Sequence, residues 1–200
     1  TYLPPNYHHH NTIEIPLESI ACLSTTHIGL LEVLGLIEKI SGLSGTQYVN
    51  SEAVKKRISD GQITAIGSEP DLDIEKLVEI LPEAVFLYGT GDASYDHIDA
   101  VKRVELKPVV NAEYMESTPL GQAEWLKFMA VFFNKEKEAN AHFEKVVSEY
   151  EATATLAAEV ADRPTVFTDQ PFQGTWTVPG GESFADKYLA DAGADYILKD

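Results

Sequence analysis

Residues 73–88 read DIEKLVEILPEAVFLY, and this stretch decides the fold class. It opens on acidic side chains, which suit the positive end of a helix dipole, and the helix halts before Pro82. Ala84 to Tyr88 then form an unbroken apolar run, the pattern of a strand covered on both faces. A helix delivered straight into such a strand predicts an α/β fold. Working backwards, Ile63 to Ile66 is a brief strand, and Ser51 to Ser59 is a short helix stopped by Asp60-Gly61. Lys39 to Leu43 is a strand that leads through a Ser/Gly turn to Tyr48. Thr26 to Leu36 carries Ile28, Leu31 and Leu34 at helical spacing with Gly35 as its stop, and Ile13 to Leu23 is a strand region interrupted by Pro16.

Working forwards, Val109-Val110 follows Pro108 as another strand, and Thr118-Pro119 marks a helix start that runs to about Phe133. A second helix begins near Lys135 and meets no breaker until Arg163-Pro164. Along it Ala139, Phe143, Val146, Val147, Tyr150, Ala154, Ala157 and Ala161 form one apolar stripe. Such a helix would reach about 40 Å at 1.5 Å per residue, the length of a strut between two lobes. Thr165 to Thr168 is a fresh strand, Ser183 opens a helix with Asp186 completing a capping box, and Tyr196 to Leu198 is one more strand. The expected division is an irregular arm over 1–12, an N-terminal α/β lobe over 13–134, a connecting helix over 135–163, and the start of a second α/β lobe over 164–200. Two strands do not make an independent sheet, so the expectation is that this second lobe is incomplete at Asp200.

The composition narrows function. Of 200 residues, 44% are hydrophobic and 24% charged, an ordinary globular balance. Fifteen basic against thirty-two acidic residues give a net charge of −17, and no basic patch offsets it, so nucleic acid is excluded as a partner. No run reaches the roughly 20 apolar residues of a membrane span. Cys22 is the single cysteine, which precludes an internal disulfide and a thiolate zinc site. The adjacent His8, His9 and His10 diverge on an extended arm and read as solvated. His27 stands at the turn Ser24-Thr25-Thr26-His27, where the hydroxyls suit helix capping and the turn itself lies beyond a strand's carboxyl end, the usual ligand face of open α/β sheets.

Gly89-Thr90-Gly91-Asp92 is half a dinucleotide loop: the third glycine is missing and Asp92 would face phosphate. Neither a G-x-x-x-x-G-K-[ST] loop nor a G-x-S-x-G elbow is present, so the expectation is a binding protein and not an enzyme, with no cofactor and no resident metal. Large aromatics recur at or just past strand ends: Tyr48, Tyr88, Tyr114, Phe172 and Trp176. Together they suggest an aromatic-lined crevice for a bulky ligand.

The order of segments resembles the class III periplasmic substrate-binding proteins of ABC importers, which carry ferric siderophores, haem or cobalamin. Ile20 to His27 followed by Leu30 to Gly35 is similar to that family's first strand, turn and helix. Ile66-Gly67, Asp73 to Leu77 and Leu81 to Phe86 are similar to its helix and Pro-Asp-strand block, with Glu83 in place of the usual aspartate. Thr118-Pro119-Leu120, Glu124-Trp125, Trp176 before Pro179-Gly180-Gly181, and Ala192-Gly193 continue the match in order. The resemblance implies two parallel-sheet lobes joined by one long helix, with a ligand held between them. The implied ligand-binding residues are Ser24, Thr25, Thr26, His27, Tyr48, Tyr88, Gly89, Tyr114 and Trp176. It implies that Glu75 docks into an arginine pocket of the membrane permease. It further implies a monomer outside the cytoplasmic membrane, lipid-anchored in its precursor. None of Arg57, Arg103 and Arg163 falls at a strand-end turn, so a neutral or cationic chelate, or a corrinoid, fits better than an anionic siderophore. The competing readings are a receptor for a bare divalent metal and a nucleotide-binding α/β enzyme.

Overall fold

The computed structural model describes residues 12–68, 71–89 and 96–198. By internal contacts the chain divides into two units, one of residues 1–112 and 128–136, the other of 113–127 and 137–200. The first is an α/β layer: β1 (Ile20–Cys22), α1 (Thr26–Val33), β2 (Ile40–Leu43), α2 (Glu52–Ser59), β3 (Thr64–Ala65), α3 (Ile74–Ile80), β4 (Ala84–Leu87), α4 (Ile98–Arg103) and β5 (Pro108–Val110). All five strands pair in parallel, in the order β3-β2-β1-β4-β5. The order reverses direction between β1 and β4, and the carboxyl ends of those two strands form the topological switch point.

Period-two alternation assigns the two faces. Ala21, Val85 and Leu87 point to one side, where Leu23, Ile66, Leu77 and Val101 complete a buried cluster joined by Ile74 and Ile80 of α3 and Ile98 of α4. Phe86, between Val85 and Leu87, points to the other. Its ring lies edge-on to His27 of α1 at 6.3 Å and to Phe132 at 5.2 Å. The sheet is thus covered on both faces, as the apolar run of residues 84–88 predicts. Burying a leucine such as Leu77 contributes about 1.5–3 kcal/mol, so each face supplies a large share of the unit's stability.

The helix starts follow local chemistry. Ser51 Oγ accepts from the Val54 amide at 3.2 Å, and Asp73 Oδ1 from the Lys76 amide at 3.0 Å. Helix α4 has no counterpart in the sequence reading. It is only six residues long, and it starts from His97 at φ 52° with no side-chain cap.

Helix α5 (Pro119–Val131) begins in the second unit and ends in the first. The second unit holds nearly all of α6 (Glu136–Ala158), then β6 (Thr165–Val166), α7 (Phe184–Asp191) and β7 (Asp195–Tyr196). Strands β6 and β7 pair in parallel as a separate sheet. The long helix stops five residues short of Arg163, at about 34 Å from its 23 residues. After it the Glu159 and Val160 amides bond carbonyls three residues back, tightening the last turn. Helix α7 packs on α6 through Gly193, where a Cβ would lie 3.1 Å from the Ala157 carbonyl oxygen, and through Tyr150, whose hydroxyl donates to Asp191 at 2.7 Å. The capping box at α7 is present: Ser183 Oγ accepts from the Asp186 amide, and Asp186 Oδ2 accepts from the Glu182 amide, each at 3.2 Å.

Candidate functional site

Parallel strands place all their carboxyl ends on one rim, and in the first unit backbone bonds weld that rim together. The Leu23 amide donates to Phe86 O at 2.8 Å, Ser44 to Cys22 O at 3.0 Å, Gly45 to Gly67 O at 3.0 Å, and Asn111 to Leu87 O at 2.8 Å. Each loop is thereby fixed to its neighbour, so side chains standing on the rim are presented by rigid backbone.

Several sequence-selected residues gather there. Ser24 and Thr26 share a hydroxyl–hydroxyl bond at 2.9 Å, and Ser24 Oγ accepts from the Thr26 amide at 3.2 Å. Thr25 precedes α1 without a capping side-chain bond. The Ser24 hydroxyl, and not Thr25, is the side chain seen to accept at this turn. Tyr48 closes a turn of 3-10 helix after β2 and is 70% exposed, a broad aromatic face open to solvent. Tyr88 and Gly89 follow β4, half-buried, on the far side of the switch point. The rest of the glycine turn, Thr90-Gly91-Asp92, lies outside the described residues, as do His8, His9 and His10.

His27 differs from its neighbours. Its ring is fully buried beneath the turn, and neither ring nitrogen has a hydrogen-bond partner among the described residues. Burial lowers its pKa to about 4, because the imidazolium would lose its hydration. The ring is a neutral floor to the loop and offers no surface to a ligand from this position. Four buried polar residues beyond strand ends escaped the sequence reading: Ser44 after β2, Asp96 before α4, and Asn111 and Glu113 after β5. The signal that could have found them is a polar residue directly after an apolar strand run, as in Val109-Val110-Asn111.

In the second unit, Trp176 and Phe172 stand in the segment after β6. The Trp176 indole donates to Thr168 O at 3.2 Å and meets the Phe167 ring edge-on at 5.8 Å. Phe172 and Thr175 exchange two backbone bonds of 2.8 and 3.0 Å around Gln173 and Gly174, both at positive φ (50° and 80°). This is a tight primed turn that leaves Phe172 73% exposed. A surface recess of about 680 Å³ is lined there by Asp169, Gln170, Phe172, Gln173, Thr175 and Thr177. Tyr114 belongs to the same unit and is half exposed in a 3-10 turn.

Glu75 sits exposed in the first turn of α3. Its neighbour Asp73 is held below the usual carboxylate range by the Lys76 amide and then by the Lys76 side chain at 3.2 Å. Among the described residues no three His, Cys, Asp or Glu side chains group as a metal site, and no helix is long and apolar enough to cross a membrane.

The family of periplasmic binding proteins matches residues 20–200, and the chain belongs to it. An uncharacterized lipoprotein of Methanocaldococcus jannaschii is 31% identical over 94% of this chain and 47% of its own length. The chain spans less than half the length of the curated relatives it matches. Among solved structures, a possible iron-binding periplasmic solute-binding protein from Staphylococcus epidermidis superposes with a TM-score of 0.75 at 17% identity, over 93% of this chain and 69% of that one. The periplasmic heme-binding protein HutB of Vibrio cholerae gives 0.71 at 16%, over 90% and 65%. The periplasmic vitamin B12-binding protein BtuF of the same organism gives 0.63 at 13%, over 92% and 68%. These likenesses show the fold.

Proposed function

We propose that this chain belongs to the substrate-binding component of an ABC-type importer, which captures an iron chelate or a corrinoid outside the cytoplasmic membrane and delivers it to a permease. The observation that carries the reading is the welded carboxyl-end rim at the β1/β4 switch point. There the hydroxyls of Ser24, Thr25 and Thr26 follow β1 and Tyr88 and Gly89 follow β4, with Tyr48 after the adjacent strand β2. A rim pre-fixed by backbone bonds loses little entropy when a bulky ligand settles on it, and aromatic faces supply contact area. Tyr114 and Trp176 are also proposed as ligand-binding aromatics, and His27 would act from below by fixing the α1 turn. Glu75, exposed beside a helix start, is the proposed docking carboxylate for a permease arginine. Lipid anchoring of the precursor is part of the proposal and is supported by the lipoprotein relative.

Tryptophan fluorescence tests it. The full-length protein is titrated with ferric siderophores, haem, cobalamin and free divalent metals, alongside Trp176→Phe. Saturable quenching by a chelate or corrinoid, diminished in the variant, is the expected result. A response to free metal alone would replace the reading with a bare-metal receptor, and silence to every compound would remove it.

A further inference from the structure

The recess after β6 lies wholly within the second unit, and its lining carries a particular hydrogen-bonding chemistry. At about 680 Å³ it falls in the roughly 300–1,000 Å³ range of small-molecule sites. Two carboxamides (Gln170 and Gln173) and two hydroxyls (Thr175 and Thr177) line it beside the Asp169 carboxylate and the Phe172 ring. Each carboxamide and hydroxyl both donates and accepts, whereas Asp169 only accepts. Among the described residues, the side chains of Gln170, Gln173, Thr175 and Thr177 bond no other protein group. Asp169 Oδ2 takes one bond, from the Thr168 hydroxyl at 3.1 Å.

A second observation concerns the backbone that carries these groups, which is fixed without them. Phe172 and Thr175 hold each other by two backbone bonds, and the Trp176 indole is tied to Thr168 O and packed on Phe167. Gln173 sits at φ 50°, where a glycine would be free of strain, and the turn itself makes no use of its amide. The same turn holds the Phe172 ring out in solvent next to the amides. A preformed surface with one apolar face and a fringe of mixed donors and acceptors complements a ligand built the same way: a flat apolar body edged with groups that both donate and accept.

We propose that this recess is a specificity-determining subsite that reads a carboxamide-fringed ligand, a corrinoid, with Gln170 and Gln173 pairing to ligand amides and Phe172 packing on the ring system. The inference rests on the proposed binding role and selects one ligand class from it by hydrogen-bond chemistry. A ligand carboxamide joins a glutamine amide through two reciprocal N–H···O bonds, and its other N–H is free to reach Asp169 or a threonine hydroxyl. A fringe of acceptors alone, such as esters, leaves the glutamine carbonyl oxygens and Asp169 without donors, and each bond so lost lowers affinity.

The test holds ring, metal, axial ligands and net charge constant and changes only the fringe. Dicyanocobinamide and the heptamethyl ester of dicyanocobyrinic acid are both neutral corrinoids, the first edged with carboxamides and the second with esters. Binding of each to the full-length protein is read by calorimetry, with ferrioxamine B and haem as ligands lacking the corrin. The expected result is that the amide corrinoid binds about tenfold or more tighter than the ester. In the double variant Gln170→Met, Gln173→Met that preference should shrink to within about threefold, through weaker binding of the amide corrinoid and not of the ester; unchanged Trp176 fluorescence shows that the turn has kept its form. Equal affinity for the two corrinoids in the wild type overturns the subsite whether or not the variant folds, and a folded variant that keeps the full preference overturns the roles of Gln170 and Gln173. Binding of ferrioxamine B or haem without either corrinoid overturns the carboxamide subsite and leaves the binding role standing. No saturable binding by any of the four overturns both.

Discussion

His27 makes acid stability the most demanding test of this structure. Its imidazole is fully buried against Phe86, its two ring nitrogens lack partners among the described residues, and its pKa is depressed to about 4 from 6.5. In the unfolded chain the same ring titrates near 6.5, so below that pH the unfolded state binds more protons than the folded one. Stability therefore falls as pH drops through the window from 6.5 to 4, and levels off for this group below 4. One pKa unit corresponds to about 1.4 kcal/mol, so the loss due to His27 is about 1.4 kcal/mol at pH 5.5 and about 2.5 kcal/mol at pH 4.5. The perturbation is His27→Leu, close in volume and without polar atoms. Urea unfolding is followed by far-UV circular dichroism, which reads the backbone of the first unit, where neither Trp125 nor Trp176 lies. At pH 7.5 the variant should be as stable as the wild type or slightly more so, since it removes two orphaned buried nitrogens. At pH 4.5 its advantage should have grown by about 2.5 kcal/mol. Stability curves that run parallel across this range would refute a buried, neutral His27.

Two further perturbations test the packing. Gly42→Ala should destabilise the first unit by about 1–3 kcal/mol in the same assay, because its Cβ would lie 2.5 Å from Ile80 Cδ1 and 3.3 Å from Ala21 Cβ and Ile66 Cγ2. A neutral result would mean that the Ile80 side chain turns aside at no cost and that Gly42 is not needed for the approach of α3. Tyr150→Phe should cost the second unit about 1 kcal/mol by leaving Asp191 with Lys187 as its remaining bonded partner, and tryptophan-detected unfolding reads it directly. Tyr150 should also ionise later than the other tyrosines in an ultraviolet pH titration, since burial and then the Asp191 bond raise its pKa. Loss of that late step in the variant assigns it.

The sequence by itself determined what short-range chemistry controls. Ser51, Asp73 and Ser183 announce helix starts because each oxygen has its amide partner three residues away. The apolar run before Tyr88 announces a strand buried on both faces because no alternate position is left polar. The ordered set of such signals, spread over most of the chain, was enough to point to the family. Helix α4 escaped because a six-residue helix starting from a left-handed histidine carries neither a cap nor a full period. The end of α6 at Ala158 escaped because nothing in residues 159–162 breaks a helix.

Only the tertiary structure decided which side chains share a place. Strand order is set by pairing between residues far apart, as in Ile20 with Ile40 on one side and Ala84 on the other, and no local pattern encodes it. That order creates the switch point between the Ser24 turn and Tyr88. It also turns His27 inward under Phe86, although the sequence alone leaves that histidine free to face a ligand. The physical reason is the same throughout: local bonds fix elements, whereas burial and pairing are properties of the assembled chain and belong to no single segment of it.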